Sequence, residues 1–160
     1  MVMEVGNEMQ QWRIYMDCCC FSRPYDDLTD ALVRLESEAV MTIIDYREQH
    51  DLVIYGSDVL EEEINRITDK AKLEKVLMLY SSSISSTIEL CDSIITRASD
   101  LLPHGLRPFD ALHLASAEYE KVDVFLSTDK RLLNAANRTE LIVKAYNPAV
   151  WLLEVLLNEQ

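Results

Sequence analysis

Short apolar segments alternate with longer amphipathic segments along most of this chain of 160 residues. Apolar runs of four or five residues predict buried strands, and apolar residues spaced three and four apart predict helices. Strands are predicted at residues 13–17, 52–55, 122–126 and 141–145. Because helical segments connect them, we expect an α/β fold, a three-layer α/β/α sandwich with a mostly parallel central sheet.

The helices are predicted where apolar residues recur with helical spacing or where a proline suits a first turn. They span residues 29–50, 58–67, 70–80, 87–102, 108–121, 130–136 and 148–157. The apolar stripe of the first consists of Leu32, Leu35, Ala39, Ile43 and Tyr46. Only three glycines and four prolines are present, so long linkers are not expected. We expect one domain over residues 1–160, with residues 1–10 as a loose N-terminal extension.

Net charge and cysteine content limit the functional classes. A net charge of −13 argues against sequence-independent nucleic-acid binding, which relies on lysine and arginine. It is compatible with a metal site or with a basic protein partner. Cys18, Cys19 and Cys20 are contiguous and Cys91 is distant, which gives neither a disulfide framework nor zinc-ligand spacing. Without a membrane-spanning run or a signal peptide, a cytoplasmic location is expected.

Four acidic positions recur where a strand gives way to a helix. They are Asp17, a glutamate within 61–63, Asp110 and Asp129. In parallel sheets the ligand crevice lies beyond the carboxyl ends of the strands, where Asp17 and Asp129 are predicted. Hard cations such as Mg²⁺ and Mn²⁺ bind carboxylate oxygens and can activate water against a phosphodiester. Each acid also has a plain structural alternative, namely helix or loop capping, a favourable helix-dipole position or a solvated helix face.

Helical spacing separates the three consecutive glutamates. Glu63 lies four residues from both Val59 and Ile67, so it should lean towards the buried side of its helix. Glu62 stays open as an alternative, because a shift of one residue in helix phase would exchange the two. Glu61 is expected to face solvent.

Three segments carry a resemblance to a known family. They are RIYMDCCCFSRPYDD near the start, RPFDALHLASAEYEKVDVFLSTDKRLL in the second half and AYNPAVWLLEV near the end. Together they resemble bacterial PIN domains of the VapC-like ribonuclease fold. The resemblance implies a metal-dependent nuclease, often a ribonuclease and often the toxin of a toxin–antitoxin pair.

By the same resemblance, Asp17, Glu63, Asp110 and Asp129 would be catalytic residues and metal ligands. Ser127 would supply a hydroxyl beside the last acid. The chain departs from its relatives where Cys18 replaces an asparagine or threonine and where Ser22 replaces an asparagine. Both departures bear on whether the protein is catalytically active.

Basic residues and a histidine near these motifs are further candidates. Arg23, Ser127, Lys130 and Arg131 are candidate substrate-binding residues. Arg23 could instead pair with Asp26 or Asp27, and Lys130 and Arg131 could be surface charge. His113, one turn after Asp110, could orient a carboxylate or substrate, although a satisfied core histidine is the simpler interpretation.

The sequence thus predicts a metal-dependent endoribonuclease that uses Mg²⁺ or Mn²⁺ to hydrolyse RNA phosphodiester bonds. The expected partners are RNA, a basic antitoxin or other protein, and a second copy in a homodimer, but no membrane. The alternative is a catalytically weak or inactive PIN-like protein-binding module.

Overall fold

A single parallel sheet of five strands forms the centre of the molecule. The computed structural model describes residues 11–159, so the predicted loose extension at 1–10 lies outside the described residues. The strand order is β3-β2-β1-β4-β5, and every neighbouring pair is parallel. The strands are β1 (Trp12–Met16), β2 (Leu52–Ser57), β3 (Ser86–Ile88), β4 (Val124–Leu126) and β5 (Lys144–Tyr146). The predicted α/β/α class with a parallel sheet is confirmed.

Eight α-helices surround this sheet within residues 11–159. They are α1 (Cys18–Ser22), α2 (Ala31–Asp45), α3 (Asp58–Ile64), α4 (Lys70–Ser83), α5 (Asp92–Leu101), α6 (Pro108–Glu120), α7 (Lys130–Asn137) and α8 (Pro148–Trp151). The chain continues from α8 through a π-helical segment, Leu152–Leu156, and a short 3₁₀ turn, Leu157–Glu159. No helix in the described part is both long enough and apolar enough to cross a bilayer.

The strand order creates a switch point between β1 and β4. The chain moves from β1 to β2 to β3 in one direction and then returns to β4 and β5 on the other side of β1. Right-handed crossovers therefore place the helices of the two halves on opposite faces of the sheet. Ligands of such sheets bind beyond the carboxyl ends of the strands at the switch point. The fold itself thus directs attention to the residues that follow β1 and β4.

The central strands are buried on both faces. Ile14, Tyr15 and Met16 of β1 are fully buried, as expected for a strand covered by two helical layers. The Tyr15 ring stacks on Phe125 of β4, with centroids 5.4 Å apart. This packing holds the ends of β1 and β4 in a fixed relation, because close-packed cores resist small displacements.

A buried carboxylate joins the beginning of the fold to its end. Glu36 of α2 is 1% exposed. Its oxygens accept hydrogen bonds from Arg23 Nε at 2.9 Å and from Asn147 Nδ2 at 2.5 Å. Because a buried carboxylate is costly without partners, these two donors explain why Arg23 and Asn147 stand in the opening and closing motifs.

One predicted helix begins too early. A helix was expected from Thr87, but residues Ser86–Ile88 form the edge strand β3 and α5 begins only at Asp92. A strand of three residues with one buried side chain, Ile88, is too short to show the alternation of apolar and polar residues that identifies a strand. These residues form a strand because they hydrogen-bond to β2, and the local sequence pattern does not predict this pairing. The short helix α1 follows Asp17 directly, where no helix was predicted.

The buried face of α2 also differs from the predicted apolar stripe. Leu32 and Leu35 are 48% and 57% exposed, whereas Ala39 and Ile43 are buried as expected. Glu36 and Val40 are buried on the same side of the helix. The predicted stripe was therefore wrong at Leu32 and Leu35, because the first turns of α2 leave these side chains exposed while a polar residue, Glu36, is buried with hydrogen bonds from distant donors.

Candidate active site

A cleft of about 900 Å³ opens at the carboxyl ends of β1 and β4. Five acids line it: the four predicted ones, Asp17, Glu63, Asp110 and Asp129, and also Asp26, which pairs with Arg23 and Lys72. Asp17 caps α1 directly after β1, and Asp129 caps α7 after β4. Glu63 lies near the end of α3, and Asp110 lies in the first turn of α6. The fold thus brings all four predicted acids to one cleft.

Asp17 lies at the base of this cleft and is 5% exposed. Its backbone N–H donates to the Leu126 carbonyl at 3.1 Å, which fixes it to the end of β4. The Cys19 thiol donates to Asp17 Oδ1 at 2.6 Å. Burial raises the pKa of Asp17 well above its ordinary value, because the ionised carboxylate loses hydration. A cation at this carboxylate would compensate for the lost water.

Glu63 is held by a hydrogen-bonded chain that runs into the core. His113 is 1% exposed, and its Nε2 lies 2.9 Å from Glu63 Oε1. An ionised carboxylate can only accept, so Nε2–H donates to Glu63. In the neutral imidazole Nδ1 then accepts from the Tyr15 hydroxyl at 2.6 Å, and this hydroxyl also contacts Ser57 Oγ at 2.8 Å. His113 is therefore a buried, satisfied histidine that also orients a site carboxylate.

The neighbouring glutamates have different surroundings. Glu62 pairs with Arg66 at 3.5 Å, and its side chain is 67% exposed. Glu61 accepts a hydrogen bond from Tyr80 Oη at 3.1 Å. Of the three, only Glu63 lines the cleft. This arrangement agrees with the helical spacing that favoured Glu63 over Glu62.

Arg131 provides a positive charge beside Asp110 and Asp129. Its Nη2 donates to Asp110 Oδ2 at 2.5 Å and lies 3.8 Å from Asp129 Oδ2. Its Nη1 donates to the Gly105 carbonyl at 2.9 Å. Asp129 Oδ1 accepts from backbone N–H groups of α7, so this acid also serves as a helix cap. The guanidinium thus occupies part of the space where cation and substrate were expected.

The other predicted substrate-binding residues, Arg23, Ser127 and Lys130, do not line the cleft. Arg23 pairs with Glu36 and with Asp26, which is the structural pairing that the sequence left open. Ser127 is fully buried, and its Oγ accepts from the Asp129 N–H at 3.0 Å. Lys130 is exposed and lines a separate concavity.

Cys18 and Ser22, where the chain departs from its relatives, both line the cleft. Burial raises the pKa of Cys18 to about 12, so its thiol is uncharged at neutral pH. The position therefore adds a neutral sulfur in place of an amide or hydroxyl, and the four acids remain.

A family model described as PIN domain matches residues 28–138. The chain belongs to the PIN-domain family. Glu63, Asp110 and Asp129 lie inside the matched range, whereas Asp17 precedes it. Among curated proteins, none matches the chain significantly.

Solved structures share the fold of this PIN domain. VapBC2 from Rickettsia felis, bound to a DNA fragment from its promoter, is similar with 10% identity and a TM-score of 0.55. The similarity covers 84% of this chain and 98% of that one. PAE2754 from Pyrobaculum aerophilum is similar with 18% identity and a TM-score of 0.55, over 93% of this chain and 97% of the other.

PIN domains generally use a divalent metal, and the donors of this one fit such an ion in part. Four carboxylates offer the hard oxygens that Mg²⁺ and Mn²⁺ prefer. Arg131 is already a stand-in cation between Asp110 and Asp129. Within residues 11–159, however, the four acids do not form a set of ligand atoms within 4.8 Å of one another. Because Mg²⁺ keeps several waters and takes few carboxylates, this wider spacing still suits it.

Several residues of the cleft were not predicted from the sequence. Arg66, Lys72 and Arg107 add positive charge to its lining. The Arg66 guanidinium lies 4.9 Å above the Phe109 ring. Arg66 follows Glu63 by three residues and lies just beyond the end of α3, so its closeness in sequence to Glu63 was the available signal. The role of Tyr15 in holding His113 could not have been found in this way, because the two residues are 98 positions apart in the sequence.

Proposed function

We propose that this PIN domain is a metal-dependent endoribonuclease that hydrolyses RNA phosphodiester bonds with Mg²⁺ or Mn²⁺. The observation that carries the proposal is the presence of Asp17, Glu63, Asp110 and Asp129 in one cleft at the switch point of the sheet. Membership of a family of nucleases supports the same conclusion.

The residues would divide the chemistry between them. The ion would be held by Asp17, Asp110, Asp129 and Glu63. Asp17 would gain the most stabilisation from it, because its carboxylate is buried and has lost hydration. Held by these residues, a divalent cation would supply an activated water and would offset the charge that develops on the phosphate. Glu63 would also be a candidate to accept a proton, since it lines the cleft and the His113 hydrogen bond holds its Oε1.

The cleft offers three basic residues for contacts with a polyanionic substrate, although acids outnumber them in its lining and the chain has a net charge of −13. These are Arg66, Lys72 and Arg107, of which Lys72 pairs with Asp26 at 2.6 Å and Arg66 lies 3.5 Å from Glu62, so a phosphate would compete with those contacts. The Phe109 ring beside Arg66 offers a surface on which an unpaired base could stack. RNA would therefore be held by a few local groups and by the bound cation.

A basic protein partner fits the remaining surface. Leu28, Leu32 and Leu35 are 44%, 48% and 57% exposed at and before the start of α2, which is unusual for three leucines spaced along one segment. Together with the acidic net charge, they favour a partner that is basic and partly apolar, such as an antitoxin. They equally favour the second candidate function, a protein-binding module with weak or no catalysis. A homodimer is a further part of the proposal.

The four cysteines are free, which suits a reducing compartment. We therefore place the proposed activity in the cytoplasm.

Incubation of the purified protein with a mixed RNA pool tests the activity. Cleavage should require Mn²⁺ or Mg²⁺, stop with chelator and yield products with defined ends. Asp17→Asn and Asp110→Asn should each reduce the rate by orders of magnitude, whereas Glu62→Gln, on an exposed side chain, should not. Cleavage that persists in chelator, or a fully active Asp110→Asn protein, would refute the proposal. Intact RNA together with tight binding of a basic protein would favour the binding module.

A further inference from the structure

Two thiols from the first turn of α1, those of Cys19 and Cys20, lie close to Asp17. Cys19 Sγ lies 2.6 Å from Asp17 Oδ1, and Cys20 Sγ donates to the Leu126 carbonyl at 3.4 Å. The ligand atoms of Asp17, Cys19 and Cys20 all lie within 4.8 Å of one another. In the described range, 11–159, this is the one set of three potential metal-binding side chains that meets this distance.

The end of β4 holds the sulfur of Cys19 in place. The Thr128 N–H donates to Cys19 Sγ at 3.3 Å, and Ser127 Oγ lies 3.6 Å from the same atom. Asp17 and Cys20 are buried, whereas Cys19 is partly exposed. Asp17 and Cys19 also line the cleft, so an ion can reach them from solvent.

The donor set favours a different class of cation from the carboxylate cleft as a whole. Thiolates select Zn²⁺ and similar thiophilic ions over Mg²⁺. Tetrahedral Zn²⁺, with Zn–S of about 2.3 Å and Zn–O of about 2.0 Å, places its ligand atoms roughly 3.5–3.8 Å apart. The three donors lie within 4.8 Å of one another, so small side-chain shifts reach this geometry, and the contact between Cys19 and Asp17 has to widen by about 1 Å.

We propose that Asp17, Cys19 and Cys20 form a site for one thiophilic divalent cation of the Zn²⁺ class. Each thiol releases its proton to solvent as its bond to the ion forms. Ser127 Oγ or a water completes the coordination. Adjacent cysteines lack the spacing of known zinc motifs, which is why this site was not predicted from the sequence.

The two cation sites share Asp17, so they cannot both use it at once. A thiophilic ion bound here would remove Asp17 from the Mg²⁺ or Mn²⁺ site and block cleavage. This consequence rests on the proposed nuclease function, whereas the thiol site itself rests only on the geometry of the three side chains.

Titration of the reduced, metal-free full chain with Cd²⁺ tests the site through the ultraviolet thiolate-to-cadmium charge-transfer band. One equivalent should produce the band. Cys19→Ser should lower the band at saturation and weaken binding by roughly tenfold or more, since even outer-shell changes cost that much. Cys18→Ser and Cys91→Ser are the matched controls, because Cys18 lines the same cleft and Cys91 is distant. Both should behave as the wild type.

Absence of the band, or a band that survives Cys19→Ser and disappears in Cys18→Ser, would overturn the proposal. Asp17→Asn provides a second measurement that removes no thiol: it should keep the band and weaken Cd²⁺ binding. Unchanged Cd²⁺ affinity in this variant would exclude Asp17 as a ligand and also overturn the site. Failure of Mn²⁺-dependent RNA cleavage beside a normal Cd²⁺ band would refute the nuclease proposal alone.

Discussion

Replacing Arg131 with glutamine should destabilise the metal-free protein and strengthen its response to Mn²⁺. In the structure the Arg131 guanidinium donates to Asp110 and lies near Asp129, so it partly neutralises two of the proposed metal ligands. A metal ion that uses Asp110 has to displace this contact. Glutamine keeps some length and polarity but removes the competing charge.

The magnitude follows from the exposure of the pair. The side chains of Arg131 and Asp110 are 38% and 14% exposed. Hydrogen bonds to charged groups contribute about 1.5–3 kcal/mol when buried, and exposed ion pairs contribute about 0–1 kcal/mol. An intermediate value of about 1–1.5 kcal/mol lowers the melting temperature of a chain of this size by roughly 2–6 °C.

The same free energy opposes the metal ion in the wild type. Its removal should tighten Mn²⁺ binding by up to about tenfold, which corresponds to 1.4 kcal/mol. At equal, near-saturating Mn²⁺, the melting temperature of Arg131→Gln should therefore rise by roughly 3–6 °C more than that of the wild type.

Thermal melts across a Mn²⁺ titration measure both effects. Lys130→Gln is the matched control, since it makes the same change in net charge at the adjacent residue, whose side chain is exposed and lines a different concavity. Any general electrostatic gain appears in both variants and can be subtracted. If the Mn²⁺-induced shift of Arg131→Gln is no larger than that of Lys130→Gln, Arg131 does not occupy the position of the cation.

Three further predictions concern the glutamates, pH and packing. Glu63→Gln should abolish RNA cleavage while Glu62→Gln stays active; the reverse result would show that Glu62 is the functional residue. Burial raises the pKa of Asp17, so protons compete with the cation and Mn²⁺ affinity measured by calorimetry should fall as pH decreases. An affinity independent of pH from neutral to mildly acidic conditions would contradict this. Gly56→Ala should lower the free energy of unfolding by about 1–3 kcal/mol in urea melts, because a Cβ would lie 2.3 Å from Tyr80 Oη. An unchanged urea midpoint would mean that Tyr80 moves aside freely.

Local patterns in the sequence were sufficient for the architecture. A buried parallel strand has to be apolar throughout, and a helix that covers it has to repeat at 3.6 residues, so β1, β2 and β4 could be located. Asp17 and Asp129 follow strand ends, which predicted their common position at the edge of the sheet. Val59 and Ile67 defined the phase of α3, and that phase pointed Glu63 towards the cleft.

The tertiary structure alone decided the details that depend on distant partners. The strand β3 forms because β2 offers it hydrogen bonds, and Glu36 can be buried because Asn147 donates to it from far along the chain. Arg131 reaches Asp110 across 21 residues, and the Cys19 thiol meets Ser127 across 108. Periodicity records which face of an element is buried, but it does not record which side chain of another element lies opposite. That choice is made only when the sheet brings the carboxyl ends of its strands together.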